Sequence, residues 1–418
     1  MTRVLHFFEP ATHGVPNFVA FLAQHQAESS HDVTVLGPRP REIPGVAWEA
    51  AEVQRSSPRS ILRSGRRAAG LAAEVDADVI HAHSFFAALA IRLVNPDRPV
   101  VYTPHAWAFA MSGPSRYPAV ALERALLGRT TRILCVSSGA AQHGRDVLGT
   151  DIPFVSIGSA IDLDRFSTDE AATTAPAGTI GAADMDAYGA FAVCVGRISH
   201  QKGQLALAQH WAEEMSDHPL QLVFVGDGHP DALDSASYPL SDGNVHFVGP
   251  SPHVAEWLRA SAFAVQPSRW EAMSLATAEA LACGRAVVAT DVAGMGEAIV
   301  DGPLPPAGVV VRSIDQIAAA SRSLHDQPRR LDDVSAVARR RAEELFSPAG
   351  LVTRTEHEYT LAQGIIDLVP PSPVQPDTVP LDLPADAAIE LRASHDNATR
   401  TRAVDLGSHP DDSPEVAA

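Results

Sequence analysis

Residues 263–290 fix the architecture before anything else does. A short apolar run, 263–265, ends in the polar turn 266–269. Leu275, Ala278, Ala280, Leu281 and Ala282 then recur at helical spacing, Gly284 stops the helix, and residues 286–290 are apolar again. Two short apolar runs joined by one helix form a βαβ unit, whose crossover makes the strands parallel and buried on both faces. Sheets built this way bind ligands at the carboxyl ends of their strands. Glu271 stands at such an end and Glu279 on the helix that follows. Taken singly, Glu271 reads equally as a charge favoured by the helix dipole, and Glu279 as a solvated helix residue.

The same layout recurs at residues 191–203, FAVCVGRISHQKG. Here 191–195 is a buried strand, Gly196 allows a tight turn, and Arg197 and Lys202 bracket a loop that opens the next helix. Two cations at a strand-end turn and a helix N-terminus suit a diphosphate, with lysine as a point charge and arginine as a planar fork.

Further strands are expected at 4–8, 32–36, 78–83, 100–103 and 132–137 in the first half, and at 220–225 and 245–248 in the second. Helices are expected from about 17 to 27, from about 204, at 252–260, at 315–325 and at 331–346. A chain of 418 residues has room for two to three domains. The expected division is an N-terminal Rossmann-like domain at 1–166, a linker at 167–190 rich in Ala, Thr and Gly, and a second Rossmann-like domain at 191–346. Segment 347–364 follows, and a Pro-rich acidic tail at 365–418 is expected to be disordered and to carry no catalysis.

Net charge of −18 argues against nucleic-acid binding. Cys135, Cys194 and Cys283 lie in apolar runs without metal-ligand spacing, so they read as buried, reduced thiols of a cytosolic protein. No apolar run reaches the roughly 18 residues of a membrane span, and 4–8 is too short for a signal peptide. Against this acidic background, Arg55, Arg59, Arg63 and Arg67 stand four apart with Arg66 adjacent. On a helix they would form one row, although Pro58 and Gly65 weaken it. The row is either a solvated face or a contact for an anionic membrane.

In order along the chain, Gly196-Arg197, Lys202-Gly203, Glu271, Glu279 and Gly294-x-x-Glu297 resemble glycosyltransferase family 4 over roughly residues 1–364. The resemblance implies the GT-B fold: two Rossmann-like domains facing across a cleft, with 347–364 as a helix crossing back to the first. It implies a retaining, metal-independent transfer from a nucleoside diphosphate sugar, as co-substrate, to a hydroxyl acceptor, of which a lipid-linked one is an option. Arg197 and Lys202 would hold the phosphates and Glu271 the donor sugar, helped by backbone amides of Ala272, Met273, Ser274 and Leu275. Glu279 would accept from the ribose hydroxyls, and His105 would lie beside the transferred sugar. Gly226 would flank the base, and Gly14 would approach donor and acceptor.

Three places depart from the family's pattern. His13 replaces the first glycine of a pair. Ala272-Met273-Ser274 replaces Gly-Phe-Gly, which would strain Ala272 if its φ were positive. Ser159-Ala160 replaces Asn-Gly before Ile161 and Asp162. Two rival readings are a GT-B-like sugar-nucleotide epimerase, which needs cleft acid/base groups and no acceptor, and a non-catalytic sugar-nucleotide-binding scaffold.

Overall fold

The computed structural model describes residues 1–11, 14–110, 116–149, 152–169, 185, 187–228 and 243–364. His13, most of the expected linker and the tail from 365 lie outside the described residues. Two sheets form, parallel at every pairing. The first contains β1 (Arg3–Phe8), β2 (Asp32–Gly37), β3 (Val46–Ala50), β4 (Val79–His83), β5 (Val100–Thr103), β6 (Arg132–Cys135) and β7 (Phe154–Ser156), in the order β3-β2-β1-β4-β5-β6-β7. The second contains β8 (Phe191–Val195), β9 (Gln221–Val225), β10 (Val245–Gly249), β11 (Phe263–Gln266), β12 (Val287–Thr290) and β13 (Gly308–Val311), in the order β10-β9-β8-β11-β12-β13. Each order reverses once, between β1 and β4 and between β8 and β11. A crevice opens at the carboxyl ends of those central pairs.

Helices cover both faces of the central strands, so β4 and β8 are buried from end to end, and the histidines of β1 and β4 are enclosed with them. Edge strands β3, β7 and β13 were not expected. β3 is half-exposed and carries Glu49, which breaks the apolar run that marks a buried strand.

Helices α1 (Gly14–Glu28), α2 (Pro58–Glu74), α3 (Phe85–Val94), α4 (Arg116–Leu126) and α5 (Ser138–Leu148) accompany the first sheet. α1 begins at Gly14, three residues earlier than expected. α2 is continuous through Gly65, contrary to expectation. Pro58 sits in its first turn, where a missing N–H costs nothing, and Ser57 Oγ caps it by accepting from the Ser60 amide at 3.2 Å. A Cβ on Gly65 would stand 2.1 Å from the Ala90 carbonyl, so the glycine lets α2 lie against α3. Arg55 precedes α2 and is not part of a helical row.

With the second sheet come α6 (Gln204–Glu214), α7 (Val254–Ala260), α8 (Leu275–Ala282), α9 (Met295–Ile299), α10 (Gln316–His325), α11 (Pro328–Ala336) and α12 (Ala338–Leu345). The single helix expected at 331–346 is two, α11 and α12, and the first starts earlier because Pro328 nucleates it. Finally α13 (Pro348–Ala362) returns to the first sheet. Leu351, Val352, Tyr359 and Ala362 pack there with Val4, Phe18 and Leu22. A buried ion pair joins Arg132 of β6 to Glu358 of α13. The N-terminal core also contains a fully buried pair, Arg92 to Glu123 at 2.8 Å, with the Tyr102 hydroxyl donating to Glu123 at 3.1 Å.

Candidate active site

At the β8/β11 crevice the two expected constellations meet. Gly196 ends β8 with φ of +149°, and the loop after it folds back through Gly203 (φ +70°) into α6. A Cβ on Gly203 would lie 2.1 Å from the Pro267 carbonyl, so only glycine brings this loop against the β11 turn. Gly226 has the same kind of role, since its Cβ would fall 2.1 Å from the Gly196 carbonyl. The turn Gly226-Asp227-Gly228, expected beside a base, is tied to the loop after β8 by the Ile198 amide donating to the Asp227 carbonyl at 2.8 Å.

Lys202 Nζ is 2.5 Å from Glu271 Oε1, and Ser268 Oγ donates to the same oxygen at 2.8 Å. The cation and carboxylate assigned to phosphate and sugar thus neutralise each other across the two loops. Gln204 Nε2 holds the loop from below, donating to the carbonyls of Arg197 at 3.0 Å and Gly196 at 3.3 Å. Thr290 Oγ1 donates to the Ser268 carbonyl at 2.5 Å and so fixes the Glu271 turn to β12. Arg197 is exposed, and its guanidinium has no partner among the described residues.

Past Glu271 the chain takes ordinary φ values at Ala272, Met273 and Ser274, so the expected strain at Ala272 is absent. Ser274 caps α8 by accepting from the Thr277 amide at 3.3 Å. The amides of Ala272, Met273, Ser274 and Leu275 donate to nothing among the described residues. They form a row of open donors at a helix N-terminus. Glu279, one turn into α8, is half-buried, and desolvation pushes its carboxyl up to about 7, against the pull of Arg165 and Lys202. The turn before Asp162 takes its left-handed residue at Gly158 (φ +72°), which frees Ser159 and Ala160 from that demand.

Sequence reasoning did not find what Glu297 touches. Its two carboxylate oxygens accept from the Ser138 and Gly139 amides, each at 2.8 Å, at the start of α5. A residue of α9, which accompanies the second sheet, therefore caps a helix that accompanies the first. Ser138, Gly139, Glu297 and Asp301 help line an open cavity of about 460 Å³. The only prior signal was the Gly294-x-x-Glu297 spacing.

On the facing side, Gly14 is exposed, and a Cβ there would touch nothing among the described residues. His105, two residues past the end of β5, has a φ of +56°, a conformation strained for histidine and of a kind that gathers at functional sites. Its Nε2 lies 3.1 Å from His83 Nδ1. His6, His81 and His83 bring nitrogens within 4.8 Å of one another. Each nitrogen already has a partner: Gln26, Thr103, Tyr359, His105 or a neighbouring histidine. A second group, His218, His325 and Asp326, is also close enough to consider. There the Leu220 amide donates to His218 Nδ1 at 3.3 Å, so the Nε2 facing Asp326 carries the proton and is a donor.

Of the basic row, Arg55 pairs with Glu9, and Arg67 with Glu49 and Glu74. Arg59, Arg63 and Arg66 are exposed without ion pairs among the described residues. The three cysteines are free and buried, their thiols pushed up to about 12 by desolvation. Among the described residues no helix is long and apolar enough to cross a membrane.

Residues 12–165 match the family described as Glycosyltransferase Family 4, and residues 190–327 match Glycosyl transferases group 1. The chain is 31% identical over 201 residues to the lipopolysaccharide core biosynthesis mannosyltransferase LpsB of Rhizobium meliloti, covering 45% of this chain and 56% of that one. It is 28% identical over 295 residues to D-inositol 3-phosphate glycosyltransferase 1 of Catenulispora acidiphila, covering 64% and 68%. The match thus spans little more than half of LpsB. Among solved structures, Anabaena HepE in complex with UDP and glucose superposes with a TM-score of 0.70 at 16% identity, over 86% of this chain and all of that one. Sucrose-phosphate synthase from Thermosynechococcus elongatus gives 0.70 at 16%, over 87% and 100%. At that identity the likeness speaks to fold, and the fold is GT-B.

Proposed function

The chain belongs to glycosyltransferase family 4, and on that premise we propose that it moves a hexose-type sugar from a nucleoside diphosphate sugar to a hydroxyl acceptor with retention at the anomeric carbon. The observation that carries this is the Lys202–Glu271 pair at the β8/β11 crevice, with the four open amides of 272–275 beside it. Cation, carboxylate and amide row match what a departing diphosphate and a sugar ring each require.

On donor entry, Lys202 exchanges Glu271 for phosphate oxygens, and Arg197 swings in from solvent. Glu271, released, accepts from sugar hydroxyls while the amides of 272–275 donate to the ring's oxygens. Glu279 accepts from the ribose. As the anomeric bond breaks, negative charge grows on the diphosphate, where Lys202, Arg197 and the α6 N-terminus stabilise it. This reading needs no metal. The leaving phosphate takes the acceptor's proton on the face it departs from, which gives retention. His105, across the crevice, contacts a hydroxyl of the transferred sugar.

The place of action follows the same proposal: a cytoplasmic enzyme of glycan, polysaccharide or glycolipid assembly. Arg59, Arg63 and Arg66 would hold α2 to an anionic membrane that presents a lipid-linked acceptor. Thermal shift with UDP-, GDP- and ADP-sugars on wild type and Lys202→Ala tests the core of the reading. Ligand at about 100 times Kd adds roughly 2.7 kcal/mol of stability. One nucleotide class should stabilise the wild type and not the variant. No stabilisation by any of them at millimolar concentration would sink the proposal. Product analysis with and without acceptor then separates transfer from epimerisation.

A further inference from the structure

The polar layer beneath the acceptor side of the crevice is a directed chain. The β1/β4 register pairs His6 with His81, and alternation puts His83 on the same face. Gln26 Oε1, from α1, lies 2.7 Å from His6 Nε2. His6 Nδ1 lies 2.9 Å from His83 Nε2, and His83 Nδ1 lies 3.1 Å from His105 Nε2. His6 and His83 are sealed from solvent, and desolvation lowers His6 to about 4, His105 to about 3 and His83 well below the ordinary histidine value. All three rings are therefore neutral near pH 7.

A neutral imidazole has one N–H and one lone pair, so each link determines the next. An amide oxygen only accepts, which places the His6 proton on Nε2. His6 Nδ1 must then accept from His83 Nε2–H, and His83 Nδ1 from His105 Nε2–H. The remaining His105 nitrogen, Nδ1, is a bare lone pair with no partner among the described residues. We propose that Gln26, His6 and His83 are positioning residues that lock His105 as its Nε2–H tautomer and present Nδ1 as an acceptor for a substrate hydroxyl. The hydroxyl substrate rests on the transferase reading; the tautomer does not. Turning the Gln26 amide would reverse every link and make His105 Nδ1 a donor, so the two states are mutually exclusive.

The test is nitrogen-15 NMR of the histidine rings in the full chain, assigned with single His→Gln variants and without any substrate. Wild type should show His6, His83 and His105 each as one Nε2–H tautomer. His6→Phe should leave His105 as a tautomer mixture, and Gln26→Leu should do the same if His6→Phe does not fold. Finding His105 as Nδ1–H in wild type overturns the proposal, as does an unchanged single His105 tautomer in the chain-breaking variants. Nucleotide-sugar binding at Lys202, measured separately, reports on the transferase reading alone.

Discussion

Glu279 ties nucleotide binding to pH. Its carboxyl is pushed up to about 7 by burial, yet its proposed task, accepting from ribose hydroxyls, requires the ionised form. Donor affinity should therefore fall as pH drops through 7. With a single titrating group, the protonated fraction weakens observed binding about elevenfold at pH 6 and only by about a tenth at pH 8. The net loss is about tenfold, or about 1.4 kcal/mol. A sugar nucleotide is the right probe, because a free nucleoside diphosphate also titrates its terminal phosphate near pH 6. Calorimetry across pH 6 to 8 should show this slope in wild type and a flat, weaker profile in Glu279→Gln. Lys202 lowers the carboxyl's pKa, so Lys202→Ala should move the Glu279 midpoint upward wherever binding remains measurable. In stability the sign is opposite. Burial disfavours the charged carboxylate, so stability is lost as pH rises from the ordinary 4.5 through about 7. Glu279→Gln should raise Tm at pH 8 and leave it nearly unchanged at pH 4. A flat wild-type affinity profile, or an identical slope in Glu279→Gln, would refute the assignment.

Glu123→Ala should cost about 3–5 kcal/mol in denaturant unfolding, because it strands the fully buried Arg92 guanidinium. Gly203→Ala should destabilise by at least about 1–3 kcal/mol and abolish nucleotide-induced thermal shift, since its Cβ meets the Pro267 carbonyl at a positive φ. Glu297→Gln should cost about 1 kcal/mol by weakening a helix cap shared between the sheets, while chemical unfolding of each core keeps its slope. Reversing charge at Arg59 and Arg63 should reduce sedimentation with phosphatidylserine vesicles and leave nucleotide-sugar affinity unchanged.

The second sheet was readable in the chain because each of its parts is local. Apolar runs of four or five residues, a glycine where a strand must turn and an acidic residue just before a helix occur within about 30 positions of one another. Their order alone gave strands β8, β11 and β12 and the residues around their carboxyl ends. Where local signals were weak, the reading failed: β3 carries a charge in mid-strand, and Pro58 looked like a breaker although it starts a helix. What folding alone decided is which charges meet. Lys202 and Glu271 stand 69 residues apart in the chain and 2.5 Å apart in space. Glu297 reaches an α5 amide 159 residues away, and His81 a tyrosine 278 residues away. No spacing rule links such pairs, because they are joined by sheet register and by α13 crossing back. Sequence periodicity sets which face a residue occupies, and only the packing of one face on another sets what that residue touches.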